Sequence, residues 1–243
     1  MFTGFVLVSL VSGYSYKIHR IMGDTLGNHL ETNHPTIYNR VISDLNGVPI
    51  SEGSVWADRV KRTKKYYWTK KLHYINIDSC STTEEDIKEV CNDGCIYTFI
   101  NDLVSRKYTD FTPEESIKFL LHSLQDISQP LHVYDRDRGG NSFKLIRNKN
   151  GRNKTMSLHS LWDNEIPSHY IENSYIKENV IMTYNTTLVD AINFNLSLDC
   201  GYIYNIVDNF IVFEKYYNPL MVRALFDNYI SLSITILKRY YGL

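Results

Sequence analysis

Residues 122–132, HSLQDISQPLH, hold two histidines, an aspartate and a proline within eleven positions. On a helix His122 and Asp126 are i and i+4, so both side chains leave one face and can grip one metal ion. Pro130 cannot donate to the carbonyl of Asp126, so the helix ends or kinks there. His132 is thereby re-aimed and free to serve a second ion nearby. Downstream, LHSLWD (158–163) repeats the spacing with His159 and Asp163. Together with His132 they make a three-ligand set of nitrogen and oxygen, the kind that leaves positions open for water and substrate. His29, His34 and His169 fall in no such pattern.

These groups need a scaffold, and helical punctuation dominates the chain. Thr112-Pro-Glu-Glu115 is a capping box with proline in the first turn. It opens a helix whose Ile117, Leu120, Leu121 and Leu124 recur at helical spacing and whose end carries His122 and Asp126. Further helices are predicted over 16–29, 55–68, 83–90, 96–106, 171–195 and 207–217, and from Pro219, after an Asn218 cap, to just before Gly242. One hairpin is predicted: 141–146 alternates Phe143 and Leu145 with polar residues, Asn150-Gly151 suits a type I′ turn, and 155–158 returns. The fold class is therefore mainly α with a small β-hairpin. At 43% hydrophobic residues, 243 residues are ample for one core, and no repeat or Pro/Gly-rich linker divides them.

A net charge of −1 gives no global field to attract a polyanion, so any nucleic-acid contact must come from a local basic patch. The first thirteen residues, MFTGFVLVSLVSG, are apolar and free of acidic groups. They are too short to span a bilayer and suit the hydrophobic part of a signal peptide cut before Tyr14, with a buried first helix as the alternative. The mature chain is then 14–243, secreted and monomeric. Later uncharged stretches such as 228–237 fall short of the ~20 residues of a stable membrane span. Four cysteines and three sequons, at Asn153, Asn185 and Asn195, fit a secreted glycoprotein. The cysteines permit three pairings; short spacing favours Cys91 with Cys95, leaving Cys80 for a long loop with Cys200, and four reduced core thiols are the alternative.

In order and spacing, SVWADRV (54–60), KLHYIN (71–76), HSLQDISQPLH, RGGN (138–141) and LHSLWDNEI (158–166) resemble the zinc-dependent S1/P1 nuclease family, from Tyr14 onward. The resemblance implies a helical fold of the phospholipase C/P1 nuclease type holding three Zn2+ ions, with a close cysteine pair and a long-range bridge. One ion would take Asp58, His73, His122 and Asp126. A second would take His132, His159 and Asp163. The third would share Asp126, use His19, and be held by the backbone amine and carbonyl of the processed N-terminal residue, here Tyr14. The family pattern there runs tryptophan, glycine, two residues, glycine, histidine, whereas this chain reads YSYKIH.

The resemblance also implies an endonuclease activity on single-stranded DNA or RNA giving 5′-nucleotides, with 3′-nucleotidase activity. Zinc lowers the pKa of water from 15.7 towards ~7, and the pair bridged by Asp126 would hold that nucleophile. Lys61, one turn after Asp58, would neutralise charge on phosphorus. Tyr74 follows His73 where the family places a base-stacking aromatic, and Asn76 stands where fungal members have a base-contacting acid. Around them 59–74, RVKRTKKYYWTKKLHY, holds seven basic and four aromatic residues. Such a stretch can track phosphates while rings stack on unpaired bases; its alternative is a solvated helix face. Two rival functions are a zinc-dependent phospholipase C and a non-catalytic, zinc-stabilised secreted binding protein.

Overall fold

The computed structural model describes residues 14–149, 152–173, 186–207 and 217–243. The expected leader 1–13, the turn residues Asn150 and Gly151, nearly all of the helix expected over 207–217, the middle of that expected over 171–195, and the sequon at Asn185 lie outside them. The described chain is mainly helical. In order it forms α1 (Tyr16–Asn33), α2 (Pro35–Asp44), α3 (Ile50–Ser54), α4 (Trp56–Val60), a 3₁₀ helix (Tyr67–His73), α5 (Glu84–Val90), α6 (Ile96–Val104), α7 (Pro113–Asp126) and a 3₁₀ turn (Pro130–His132). Strands β1 (Lys144–Lys149) and β2 (Arg152–Ser157) follow, then α8 (Leu158–Ser160), a π-helical turn (Leu161–Glu165) and α9 (Ile166–Asn173). The chain continues with α10 (Leu188–Leu198), a second π turn (Asp199–Ile203), α11 (Tyr204–Val207) and α12 (Pro219–Tyr241).

The central helix is α7, packed against α2, α3, α4, α6 and α12 through a face that includes Ile117, Leu120, Leu121 and Leu124, all fully buried. Its predicted capping box forms: the Thr112 hydroxyl accepts from Glu115 N at 3.1 Å, and the Glu115 carboxylate accepts from Thr112 N at 2.9 Å. At α12 the Asn218 side chain accepts from the N–H groups of Leu220 and Met221, and Gly242 closes the helix at φ +65°. This helix is long and apolar enough to cross a membrane by length and composition, yet 67% of its apolar window is buried inside the protein, so it packs as core. Helix α1 touches α3 through Gly23, where a Cβ would stand 2.7 Å from Ser51 Cα.

Several expectations are corrected. The helix predicted over 55–68 stops at Val60, because the Thr63 backbone and hydroxyl both donate to the Val60 carbonyl (2.8 and 2.7 Å) and close a tight turn. That turn swings the Tyr66 ring into the core, edge-on to Trp56 and Phe119. The helix predicted over 171–195 is not one continuous element: residues 171–173 belong to α9, and a separate helix starts at Leu188, where extended Thr187 and Asp190 form a capping box. Helix α2 forms where none was predicted; Pro35 starts it, and Ile37 and Val41 are buried. The hairpin reaches further toward its turn than expected, with Leu145 opposite Met156.

Both disulfides form, Cys91–Cys95 and Cys80–Cys200, the latter closing a separation of 120 residues. Asn153 is exposed on β2. The Asn195 sequon is withdrawn as a glycan site: the residue is 0% exposed and its amide nitrogen donates to the Ile127 carbonyl at 2.8 Å, which leaves no room for a sugar.

Candidate metal centre

Every metal ligand expected from side chains arrives at one buried locus from different elements. His19 comes from α1, Asp58 from α4, His73 from the end of the 3₁₀ helix, and His122 and Asp126 from the last turn of α7. His132 follows the 3₁₀ turn that Pro130 begins, His159 lies on α8, and Asp163 on the π turn after it. Three groups have ligand atoms close enough to share an ion: His19, His122 and Asp126; Asp58, His73 and His122; and His132, His159 and Asp163. Asp126 joins the first two and leans on the third. Its Oδ2 lies 2.7 Å from His73 Nδ1 and 2.9 Å from His122 Nε2, and its Oδ1 lies 3.6 Å from His19 Nε2 and 3.8 Å from His132 Nδ1. In the third group His159 Nε2 is 3.3 Å from Asp163 Oδ2, and His132 Nε2 is 3.9 Å from Asp163 Oδ1.

The rings are aimed by their other nitrogens. Nδ1 of His122 donates to the Ser54 carbonyl (2.7 Å), that of His132 to the His73 carbonyl (2.9 Å) and that of His159 to the Gly139 carbonyl (2.7 Å). A carbonyl can only accept, so each Nδ1 carries the hydrogen and Nε2 keeps the lone pair that a cation needs. Gln129 donates to Asp163 Oδ1 at 2.8 Å. Among the described residues, His19 Nε2, Asp58 Oδ2, Asp126 Oδ1 and His132 Nε2 are buried acceptors with no hydrogen-bond partner. Leaving so many converging acceptors unmatched costs free energy that a bound cation removes, so the residues fit a metal.

Electrostatics agree with that fit. Burial pushes His19 down to about 4, His122 adds to the depression, and Asp126 and Asp58 oppose it. Burial also pushes His132 down to about 3 and lowers His73. For His122 burial acts the same way, but Asp126 and Asp58 outweigh it and its pKa is raised. Burial opposes charge on Asp58, yet His122, His19 and Lys61 outweigh it and bring its pKa down to about 2. Asp126 is held well below the usual carboxylate range, burial being outweighed by His122 and His73. Burial pushes Asp163 well above that range, with Asp126 and Asp58 adding to it. Neutral His19, His73 and His132 beside ionised Asp58 and Asp126 are the ligand forms a divalent cation takes, whereas raised His122 and Asp163 must each give up a proton to bind one. The Lys61 ammonium is buried and paired with Asp58 Oδ1.

The ring of Tyr14 is buried edge-on to His19, centroids 6.0 Å apart, and the next residue donates from Ser15 N to the Asp163 carbonyl at 3.0 Å. An open cleft begins at His159 and is lined by Tyr74, Asn76, Asp135, Arg138, Gly139 and Asn141, so the two expected substrate residues share one wall. That wall is laced to the segment of the candidate ligand His132: Ile75 N donates to the His132 carbonyl (2.8 Å), Ile77 N to Val133 O (3.1 Å) and Asp135 N to Ile77 O (2.9 Å), with Ile77 and Tyr134 in a parallel bridge. The basic, aromatic stretch divides. Tyr66 is core, Lys61 and Lys65 are paired with carboxylates, and Tyr67 and Trp68 are 60% and 43% exposed. Sequence reasoning missed Gln125, Gln129, Asp135 and Arg138, although all but Asp135 lie inside the quoted motifs HSLQDISQPLH and RGGN.

A mainly helical protein built around buried histidine and aspartate groups able to hold metal, beside a cleft with an aromatic wall, is the class that fold and site define. The chain belongs to the S1/P1 nuclease family, whose model matches residues 14–202. It is 31% identical over 186 residues to Endonuclease 1 of Arabidopsis thaliana, covering 70% of this chain and 59% of that protein. It is 22% identical to Nuclease S1 of Aspergillus oryzae over 66% of this chain and 57% of the relative, and 27% identical to Nuclease P1 of Penicillium citrinum over 48% and 44%. The chain thus spans under three fifths of the length of these relatives.

Proposed function

We propose that this protein is a zinc-dependent endonuclease that hydrolyses phosphodiester bonds of single-stranded DNA or RNA to 5′-nucleotides, with 3′-nucleotidase activity, and that it works as a secreted monomer. The observation that carries the reading is the convergence of partnerless buried acceptors from α1, α4, α7 and the Pro130 turn behind His159, which opens on a cleft walled by Tyr74. Asp58, His73, His122 and Asp126 would hold one zinc ion; His132, His159 and Asp163 a second; His19, Asp126 and the backbone of Tyr14 a third. Bound there, zinc makes water acidic enough to act as a nucleophile near neutral pH and polarises phosphoryl oxygens.

The chain's own groups do the rest. Asp126 faces four imidazoles and keeps the groups in register. The Lys61 ammonium, fixed at Asp58, offers positive charge where a phosphodiester would meet the centre. Tyr74 supplies a face for an unpaired base, worth about 1–3 kcal/mol per stacked base, and Asn76 offers both a donor and an acceptor to a base edge. Tyr67 and Trp68 are exposed in a stretch free of acidic residues from 59 to 77, with Lys70 over the Tyr67 ring and Trp68 packed on Tyr108 and Phe111. Duplexes are expected to be poor substrates, because a paired base cannot leave its stack without cost. The two disulfides fit an oxidising compartment.

The test is incubation of purified protein with single-stranded and duplex DNA, with and without a chelator, beside Asp126→Asn. Cleavage of the single strand alone, lost on chelation and in the variant, is expected. Persistent cleavage by Asp126→Asn at the parent rate sinks the reading.

A further inference from the structure

The ligand sets make no use of Gln125, although it touches His19 from behind the cluster. It is 0% exposed on α7. Its Oε1 lies 2.5 Å from His19 Nδ1, and its Nε2 lies 3.1 Å from both Ser54 Oγ and the Tyr229 hydroxyl oxygen. Its orientation follows from its neighbours. The Ser54 hydroxyl donates its one hydrogen to the Ile50 carbonyl at 2.8 Å, so Ser54 Oγ can only accept from Gln125, and the amide nitrogen must face it. Oε1 is therefore turned to His19, and an acceptor in that position requires the hydrogen of the neutral ring on Nδ1.

The lone pair is then on Nε2, which is buried, has no hydrogen-bond partner among the described residues, and faces Asp126 Oδ1 at 3.6 Å and Asp58 Oδ2 at 3.8 Å. Four helices meet at this one amide: α1 with His19, α3 with Ser54, α7 with Gln125 and α12 with Tyr229. The approach of α1 to α3 that closes the knot depends on Gly23, where a Cβ would stand 2.9 Å from Ser54 Oγ.

We infer that Gln125, clamped by Ser54 and Tyr229, is a positioning residue that selects the tautomer of His19 and thereby governs capture of a divalent cation at the His19–Asp126 group. It rests on the metal-dependent reading above and adds a specific device to it. With Gln125 in place the ring is set for coordination before any ion arrives. Without it the hydrogen can occupy Nε2, where it satisfies Asp126 or Asp58 directly and blocks the site.

Three variants test this: Gln125→Leu, which removes the acceptor; Gln125→Glu, which keeps an acceptor facing Nδ1; and Tyr229→Phe, which loosens the clamp. The first readout is the His19 tautomer in metal-free protein, from ¹⁵N-edited NMR of the imidazoles. Nδ1–H is expected in the parent and in Gln125→Glu, and its loss in Gln125→Leu. The second is zinc retained per chain under graded chelator challenge. Removing such an outer partner costs 10- to 100-fold in metal affinity, so Gln125→Leu is expected to weaken one ion per chain by about that factor, with the His132, His159 and Asp163 group unchanged.

An unchanged tautomer in folded Gln125→Leu, or parallel loss of all ions, overturns the inference. Should Gln125→Leu fail to fold, Tyr229→Phe decides: a partial shift in both readouts supports the device, and none overturns it. If the parent retains no zinc at all, the metal-dependent reading fails, while the tautomer measurement still judges the hold of Gln125 on His19.

Discussion

Replacing Gly139 by alanine probes the loop that orients one metal group from outside. Gly139 lies in a run of four residues, Asp137 to Gly140, all at positive φ, its own being +59°. A side chain there costs roughly 1–2 kcal/mol. The new Cβ would also stand 2.5 Å from the Leu131 carbonyl oxygen, so backbone must move, and overpacking of this kind costs typically about 1–3 kcal/mol. Together that is about 2–5 kcal/mol, or a fall in Tm of roughly 4–20 °C for a chain of this size. The displaced atoms matter more than the sum. Leu131 precedes His132, and the Gly139 carbonyl accepts from His159 Nδ1, so two imidazoles of one group turn together. Zinc affinity at that group should fall about 10- to 100-fold, while the His19 group keeps its ion. Gly201→Ala is the control: nothing lies within 4 Å of its Cβ, and the change should be neutral or stabilise by up to about 1 kcal/mol. Thermal unfolding of zinc-loaded and stripped protein, with zinc titration, reads both effects. If Gly139→Ala matches Gly201→Ala in Tm and in zinc affinity, the reasoning is refuted.

Removing the Cys80–Cys200 bridge with paired serines should lower stability by about 5 kcal/mol and Tm by roughly 10–20 °C, against about 2 kcal/mol for the short Cys91–Cys95 loop; equal losses in denaturant melts would contradict this. The metal-stripped protein should lose stability on acidification from about pH 6.5 to 4. His19 and His132 have folded pKa values depressed to about 4 and about 3, so the unfolded chain binds protons first, costing about 3 kcal/mol each by pH 4; the raised His122 acts in the opposite sense and offsets part. A pH-independent chemical melt over that window would be the contrary result. Protein whose chain begins at Tyr14 should retain more zinc per mole than protein carrying residues 1–13, and equal contents would remove the N-terminal residue from the ligand set.

Much of the fold was legible because its signals are local. The Thr112 capping box, the Asn218–Pro219 start and the Gly242 stop each act within a few residues, and each forms as predicted. The convergence of the candidate ligands was legible for a different reason: His122 with Asp126 and His159 with Asp163 carry their geometry in the i, i+4 spacing. Failures came where distant segments decide. The helix after Val55 stops at Val60, where burying Tyr66 between Trp56 and Phe119 outweighs helix continuity, and no local pattern records those partners. The clamp on His19 joins residues 71, 104 and 106 positions apart, so Gln125 reads in sequence as an ordinary polar residue in a helix. The Asn195 sequon is a regular match that tertiary packing overrules.

The lacing of 73–77 to 132–135 makes the cleft wall and the candidate metal-ligating imidazole of His132 a single mechanical part. A ring settling against Tyr74 cannot displace that backbone without tugging His132, and an ion seated on His132 stiffens the surface the ring must meet. Linkage then demands symmetry: whatever factor ion occupancy contributes to nucleobase affinity, the nucleobase returns to the ion. On the proposed function, depleting zinc would therefore blunt recognition of the polymer as well as its scission.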